Sequence, residues 1–152
     1  MMEDEAIKDW EAVPAWVVMT IQAQAEDHYG AGRLERAGES YERLVEMRPK
    51  ASQYWAMLGV VARRQGRWVA GLKALQRAVE LAPQNRNAMV NLGELLICAG
   101  KLEEGVEVLN AVFEMGLEPG LSVEEQDMIT RRAGAQLAMM ERLARGVLQG
   151  EI

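Results

Sequence analysis

Apolar side chains recur at intervals of three and four residues along most of the chain, the spacing of amphipathic α-helices. The stripes come in pairs. In the middle of the chain, one stripe covers residues 54–62 and a second covers residues 68–81, with Gly66 in the turn between them and Pro83 after the second. The pattern therefore predicts an all-α fold built from helical hairpins.

The hairpin pattern repeats every 34 residues, as Gly32, Gly66 and Gly100 show, and each of these glycines precedes a basic and then a large apolar residue. Small residues inside the helices follow the same interval: Ala25, Gly59, Gly93, Ala37, Gly71 and Gly105. Glycine inside a helix costs about 0.5–1 kcal/mol relative to alanine. We therefore expect the two helices of each hairpin to cross closely at these positions.

The 152 residues fit a single domain. The spacing divides it into an N-terminal helix region, three repeats, and a C-terminal capping helix, at residues 1–17, 18–51, 52–85, 86–119 and 120–152. A capping box from Ser122 to Glu125 predicts that the last helix begins there and runs to about Gln149. Whether this helix lies in a groove of the repeats as an internal plug is left open by the pattern.

The repeat unit resembles the tetratricopeptide repeat, whose signature is W-x2-L-G-x2-Y, then A-x3-F, then P. The matching positions of the second unit are Trp55, Leu58, Gly59, Ala62, Gly71, Leu75, Ala78 and Pro83. The resemblance implies a helical-hairpin solenoid of three repeats with a short N-terminal helix and a long C-terminal cap. The departures are that the family's Tyr is His28, Ala62 and Leu96, that its second-helix Ala is Gly in two copies, and that Leu117 stands where it has Pro.

In this family, the first helix of each repeat lines a concave, peptide-binding groove. The resemblance implies twelve groove residues here: Met19, Gln22, Glu26, Tyr29, Gln53, Met57, Val60, Arg63, Asn87, Asn91, Glu94 and Ile97. This mixture of apolar and amide side chains suits an extended, partly apolar peptide. Gln22 and Glu26 replace the Lys and Asn of members that clamp heat-shock chaperones, so we expect no such clamp. For Val60, packing between helices is an equal alternative.

Composition and charge narrow the function classes. The net charge of −6 has the wrong sign for neutralising phosphates, so we expect no nucleic-acid partner. The single cysteine, Cys98, forms no internal disulfide and fits a reducing cytoplasm. The first apolar run, residues 15–21, is too short for a bilayer, so we expect no membrane insertion.

Residues for catalysis are scarce. His28 and Cys98 are the single histidine and cysteine, and the repeat pattern places them two units apart. We expect no catalytic residues, no cofactor and no metal, and therefore no enzyme. Because His28 occupies a position where the family buries a Tyr, we expect it to be a packed core imidazole.

The leading hypothesis is a cytoplasmic chaperone or adaptor that binds a protein or peptide ligand in its groove. The layout is similar to that of the class II chaperones of type III secretion systems, which implies a hydrophobic secreted client and a homodimer. The alternative is a structural scaffold subunit that forms a homo- or hetero-oligomer through its terminal helices. For either oligomer the candidate interface is Ile7, Trp10 and Trp16.

Overall fold

The computed structural model describes residues 12–151. Within this range all regular secondary structure is helical, which confirms the all-α prediction. The seven α-helices are α1 (Ala15–Gly30), α2 (Leu34–Met47), α3 (Ser52–Arg64), α4 (Trp68–Leu81), α5 (Arg86–Cys98), α6 (Leu102–Gly116) and α7 (Met128–Leu148).

The first six helices form three stacked hairpins. The pairs α1–α2, α3–α4 and α5–α6 are the hairpins, while α3 packs on α2 and α5 packs on α4. The register follows the sequence period, because α5 begins at Arg86, 34 residues after α3 begins at Ser52. The helices α1, α3 and α5 therefore form one layer of a short solenoid, and α2, α4 and α6 form the other.

Each hairpin turns on a glycine in the left-handed region. Gly32, Gly66 and Gly100 have φ of 72°, 73° and 81°. After Gly32, the Arg33 N–H donates to the His28 carbonyl at 2.8 Å, and the equivalent bonds follow the other two glycines. This is the Schellman motif, in which a residue with a Cβ would be strained.

The close crossing of the two helices is confirmed in the second and third hairpins. A Cβ placed on Gly59 would lie 2.5 Å from Leu75 Cγ and 3.0 Å from the Gly71 carbonyl oxygen. In the third hairpin, a Cβ on Gly93 would likewise lie 3.2 Å from the Gly105 carbonyl oxygen. Backbone meets backbone at these crossings, so neither helix has room for a larger side chain.

The core runs between the layers as a row of apolar clusters. The first is built on Tyr41 and Leu44 from α2, and the second on Leu75 and Leu95 where α4 meets α5. The third joins α5 and α6 to α7, which contributes the fully buried Ala133. The last helix is thus part of the same core.

The start of α7 differs from the prediction. The capping box of Ser122 and Glu125 is present, but it closes only a single 3₁₀ turn, Val123–Glu125. The helix itself begins at Met128, where the Asp127 carboxylate accepts from the N–H groups of Ile129 and Thr130.

Gln126 explains why the turn does not continue into the helix. Its backbone is extended, with ψ of 155°, and its side chain is buried. The amide oxygen accepts from the Glu118 N–H at 3.0 Å, and the amide nitrogen donates to the Glu118 and Leu121 carbonyls. These bonds satisfy backbone groups of the loop that follows α6 and hold the chain extended at Gln126.

The C-terminal helix α7 packs against α5 and α6. It therefore takes the same place relative to the third hairpin that α5 takes relative to the second, and it extends the layer of α1, α3 and α5. This position lies beside the concave face, not across it as a plug. In the part of the chain that the structure describes, no helix combines the length and apolar character that a bilayer crossing needs.

Candidate functional site: the concave face

The twelve groove residues expected from the repeat pattern lie four each on α1, α3 and α5. We call the face that these helices share, together with the adjoining side of α7, the concave face. None of the twelve is buried: Met19, Glu26, Gln53 and Asn87 are exposed, and the others are partly exposed. Ile97 and Met57 also pack against core clusters, so only part of each side chain faces solvent.

At the N-terminal end of the concave face, a neutral hydrogen bond joins α1 to α3. The Tyr54 hydroxyl donates to Gln22 Oε1 at 2.8 Å, and Gln22 Nε2 donates to Glu26 Oε1 at 2.9 Å. Burial raises the pKa of Tyr54, and the Glu26 carboxylate raises it further against the opposing charge of Arg48. The tyrosine therefore remains a donor at neutral pH, which orients the Gln22 amide.

A cation–π contact lies next to this pair. The Arg64 guanidinium carbon stands 4.7 Å from the centre of the Tyr29 ring. Such a contact stabilises an exposed arginine by about 0.5–1 kcal/mol. One face of the Tyr29 ring is therefore covered by Arg64.

At the centre of the concave face, one carboxylate joins three helices. Arg63 of α3 donates from Nη1 to Glu94 Oε2 at 2.8 Å. Arg132 of α7 donates from Nε to Glu94 Oε1 at 2.7 Å and from Nη2 to Glu94 Oε2. The same Nη2 donates to Asn91 Oδ1 at 3.1 Å. Both oxygens of Glu94 thus accept charge-assisted bonds, and the Arg132 contact is bidentate.

The environment of Glu94 favours its charged form. Its side chain is only 10% exposed. Burial alone would raise its pKa, but the hydrogen bonds from Arg132 and Arg63 and the charges of both outweigh burial and hold the pKa below its ordinary value. Glu94 is therefore ionised at neutral pH, and most of its accepting capacity is already used.

A second charged cluster fastens the beginning of α7. Arg86 at the start of α5 donates to both carboxylate oxygens of Asp127, at 3.0 and 3.3 Å, and to the Thr130 hydroxyl. Gly116 leaves the room for this arginine, because a Cβ there would overlap the guanidinium and the Thr130 hydroxyl. Hydrogen bonds from Thr130 and Arg86 hold the pKa of Asp127 well below its usual range.

Sequence reasoning missed the part that α7 plays in this face. Met128 follows Arg86 by 42 residues, whereas Arg86 follows Ser52 by 34, so the period does not bring Arg132 next to Glu94. The sequence signal that could have found the true start of α7 is Asp127, a good N-cap residue one position before the helix. The partner of Glu94 depends on tertiary packing and carries no local signal.

His28 differs from the expectation of a packed core imidazole. It is partly exposed, and its Nδ1 accepts from Arg33 Nε at 2.9 Å. The neighbouring Asp27 pairs with the same arginine. The turn after α1 brings Arg33 back over the last turn of the helix, so the imidazole packs beneath an ion pair at the surface. Cys98 is exposed at the end of α5.

In residues 12–151, no group of three or more His, Cys, Asp or Glu side chains could hold a metal ion. Of the candidate oligomer residues, Trp16 lies on α1 and is 69% exposed, as is Met19 one turn further along. Ile7 and Trp10 fall outside the described residues.

The geometry can be set beside known families. Two family models described as tetratricopeptide repeat match residues 23–86 and 62–116, which together make up more than half of the chain. The chain belongs to the tetratricopeptide-repeat family. The overlapping matches run from the middle of α1 to the end of α6.

Solved structures of this repeat family share the fold at low sequence identity. The Yersinia enterocolitica type III secretion translocator chaperone SycD superposes with a TM-score of 0.75 at 15% identity, covering 85% of this chain and 93% of that chain. A type III secretion complex from Aeromonas hydrophila gives 0.77 at 15% identity, covering 89% and 87%. The TPR2B domain of yeast Sti1, in a complex with an Hsp70 peptide, gives 0.64 at 15% identity, covering 78% and 97%.

Curated relatives match over less than half of this chain. The protein O-mannosyl-transferase TMTC1 of Mus musculus is 32% identical over 71 residues, 47% of this chain and 8% of that protein. The peroxisomal targeting signal receptor of Pichia angusta is 35% identical over 60 residues, 40% of this chain and 10% of that protein. The chain thus spans a tenth or less of the length of these relatives.

Proposed function

We propose that this repeat protein is a cytoplasmic protein-binding module that holds an extended, partly apolar segment of a client against its concave face. The observation that carries the proposal is the row of unburied side chains on α1, α3 and α5. Met57 and Val60 offer apolar surface, and the exposed Gln53 and Asn87 stand beside them. Amides of this kind donate to and accept from the backbone of an extended peptide.

Solved relatives support the same use of the fold. SycD has been solved with a peptide of the translocator YopD, and the RPAP3 and Sti1 domains with heat-shock peptides. The likeness to SycD extends over 85–88% of this chain. We therefore propose more narrowly that the client is an apolar segment of a secreted protein, and that the chain is a translocator chaperone.

Two matched substitutions test the binding face. Val60 lies on α3 in the concave layer, while Val69 lies on α4 in the other layer and is 68% exposed. Val60→Glu and Val69→Glu place the same charge on opposite sides of one hairpin. An array of apolar 12-residue peptides, of roughly the length that spans three helices in extended form, supplies a binder whose affinity is then measured by fluorescence anisotropy.

Val60→Glu should weaken the binding affinity for that peptide at least tenfold, because it places a charge in the apolar surface that the peptide covers. Val69→Glu should leave the affinity within twofold, with unchanged helicity in both variants. Equal losses in the two variants, or no loss in either, would assign binding to another surface.

A second function is favoured by one observation, the exposure on α1 of Trp16 and, one turn further along, of Met19, which is also one of the twelve groove residues. Two large apolar side chains on one helix face at this exposure are typical of an interface. We propose that this face joins two copies of the chain.

Light scattering of the full chain and of a chain starting at Val13 measures the oligomer, with Trp16→Ala and Trp68→Ala as a matched pair. A dimer should be weakened by Trp16→Ala alone; a monomer at every concentration would count against the interface.

A further inference from the structure

At the centre of the concave face, two arginines form an anion-binding site. The anion that occupies it is a carboxylate of the same chain, that of Glu94. Arg63 and Arg132 approach Glu94 from two neighbouring helices, and both carboxylate oxygens accept from them. Paired guanidiniums of this kind are the usual receptor for acidic side chains and for a terminal carboxylate.

The arginines are otherwise accessible to a ligand. Their side chains are 28% and 41% exposed, whereas that of Glu94 is only 10% exposed. The carboxylate therefore lies beneath the two guanidiniums on the solvent-facing layer. A ligand that approaches the centre of the face meets two arginines whose charge is already compensated.

Glu94 contributes to fold stability by holding Arg132 of α7, but stability does not require a charge at this place. Replacing a buried ion pair by apolar side chains of similar volume is often neutral or stabilising, because the charges lose their hydration. The repeat pattern offers such a replacement, since Val60 stands at the equivalent position of the second repeat. The charge of Glu94 has its clearest effect on which ligands bind to the concave face.

We propose that Glu94 is a specificity-determining residue that occupies the arginine pair and thereby excludes clients anchored by acidic side chains or a terminal carboxylate. The face is then left to neutral, apolar segments. This inference rests on the proposed function, because it concerns the client that the same face binds. A free client carboxylate would have to displace an internal one that pays no translational entropy to bind.

The test is a gain of binding. Glu94→Gln keeps the side-chain shape and removes the charge. The probe is the fluorescent peptide SRMEEVD, an acidic ligand of a related repeat domain, measured by anisotropy beside SRMQQVN-amide, which lacks its negative charges. We expect Glu94→Gln to bind the acidic peptide at least tenfold more tightly than the wild type does, and the neutral peptide no more tightly.

Two controls separate the arginine pair from a general change of charge. Glu104→Gln removes one negative charge from α6, where Glu104 pairs with Lys101 on the surface, and it should produce no gain. Adding Arg132→Gln to Glu94→Gln should abolish the gain. Raising the ionic strength should weaken the gained binding, because exposed charge contacts are screened.

Three outcomes would overturn the inference. The wild type could bind the acidic peptide as tightly as Glu94→Gln does, the variant could show no gain, or the gain could survive the loss of Arg132. If circular dichroism shows that Glu94→Gln is unfolded, Glu94→Met is used in its place, since an apolar side chain of similar length avoids a buried unpaired amide.

The result is independent of the apolar-client assay. Suppose that Glu94→Gln binds SRMEEVD more tightly but that no apolar peptide of the array binds. This result would count against the proposed function and not against the role of the arginine pair. An apolar binder together with no gain would count against the role of Glu94 alone.

Discussion

The two ends of the solenoid are held together by different forces. At the N-terminal end, α1 joins α3 through the neutral bond of Tyr54 to Gln22 and through the cation–π contact of Arg64 with Tyr29, neither of which needs an ionised carboxylate. At the C-terminal end, α7 joins α5 through two charged clusters, one on Glu94 and one on Asp127. The difference indicates that acid should loosen the C-terminal end before the N-terminal end.

Packing explains why α7 depends on charge. Thr130 and Ala133 of α7 are fully buried, but from residue 138 onward the helix is almost entirely exposed. Its 21 residues also make it longer than the 15-residue α6 on which it packs. The apolar area that α7 buries is small for its length, so ion pairs contribute a larger share of its attachment.

The largest effect should come from Gly116→Val. The added side chain would overlap the Arg86 guanidinium and the Thr130 hydroxyl, so the cluster at the start of α7 would have to open. We expect a loss of about 2–3 kcal/mol in the free energy of unfolding, measured by urea denaturation. Gly30→Ala is the control, because a Cβ there meets nothing within 4 Å. A loss under 1 kcal/mol for Gly116→Val would show that the cluster does not hold α7.

The next largest effect is a difference in acid stability between the two ends of the solenoid. The pKa values of Glu94 and Asp127 are lowered in the folded protein, so their stabilisation is complete above the ordinary carboxyl range and is lost as the pH falls below about 4. All four tryptophans and three tyrosines lie within residues 10–68, so aromatic fluorescence reports only the N-terminal part.

At neutral pH, thermal melting followed by fluorescence and by far-ultraviolet circular dichroism should coincide. At about pH 3.5 we expect the circular dichroism curve to begin falling several degrees earlier, because it also reports α7. Coincident curves at both pH values would remove the distinction between the ends.

A smaller effect is expected for Glu94→Gln at pH 7, a loss of about 1–2 kcal/mol, because Arg63 and Arg132 lose the negative charge with which they pair. The loss should shrink toward pH 3, where the wild-type carboxylate begins to be protonated. Glu104→Gln serves as the surface control and should change stability by less than about 0.5 kcal/mol. A loss that stays constant from pH 7 to pH 3 would contradict the ionised state of Glu94.

The smallest effect is expected at the N-terminal end of the solenoid. Tyr54→Phe removes one hydrogen bond to Gln22 and should cost about 0.5–1 kcal/mol, with no change between pH 4 and pH 8. In the Tyr54→Phe background, Gln22→Ala should cost less than it does alone, which a double-mutant cycle of unfolding free energies measures. Additive losses would show that the bond contributes nothing.

The sequence predicts the repeating part of the fold well because its signals are local. Turn glycines such as Gly66 and helix crossings such as Gly59 act within one hairpin, and the 34-residue period repeats them. The helix α7 has no such signal, since eight extra residues precede it and the capping box at Ser122 competes with Asp127 for its start. The groove residues follow the period, but the bond from Arg132 to Glu94 depends on where α7 packs.

The bond between Arg63 and Glu94 also distinguishes this order of repeats from a longer one. The backbone would accept another 34-residue hairpin between α4 and α5, because the register of α3 and α5 is the same. Such an insertion would move α5 away from α3 by about 8–10 Å, the usual distance between packed helices. Glu94 would then lose one of its two arginines, so this side-chain contact adds to the stacking of the hairpins a preference for α3 and α5 as neighbours.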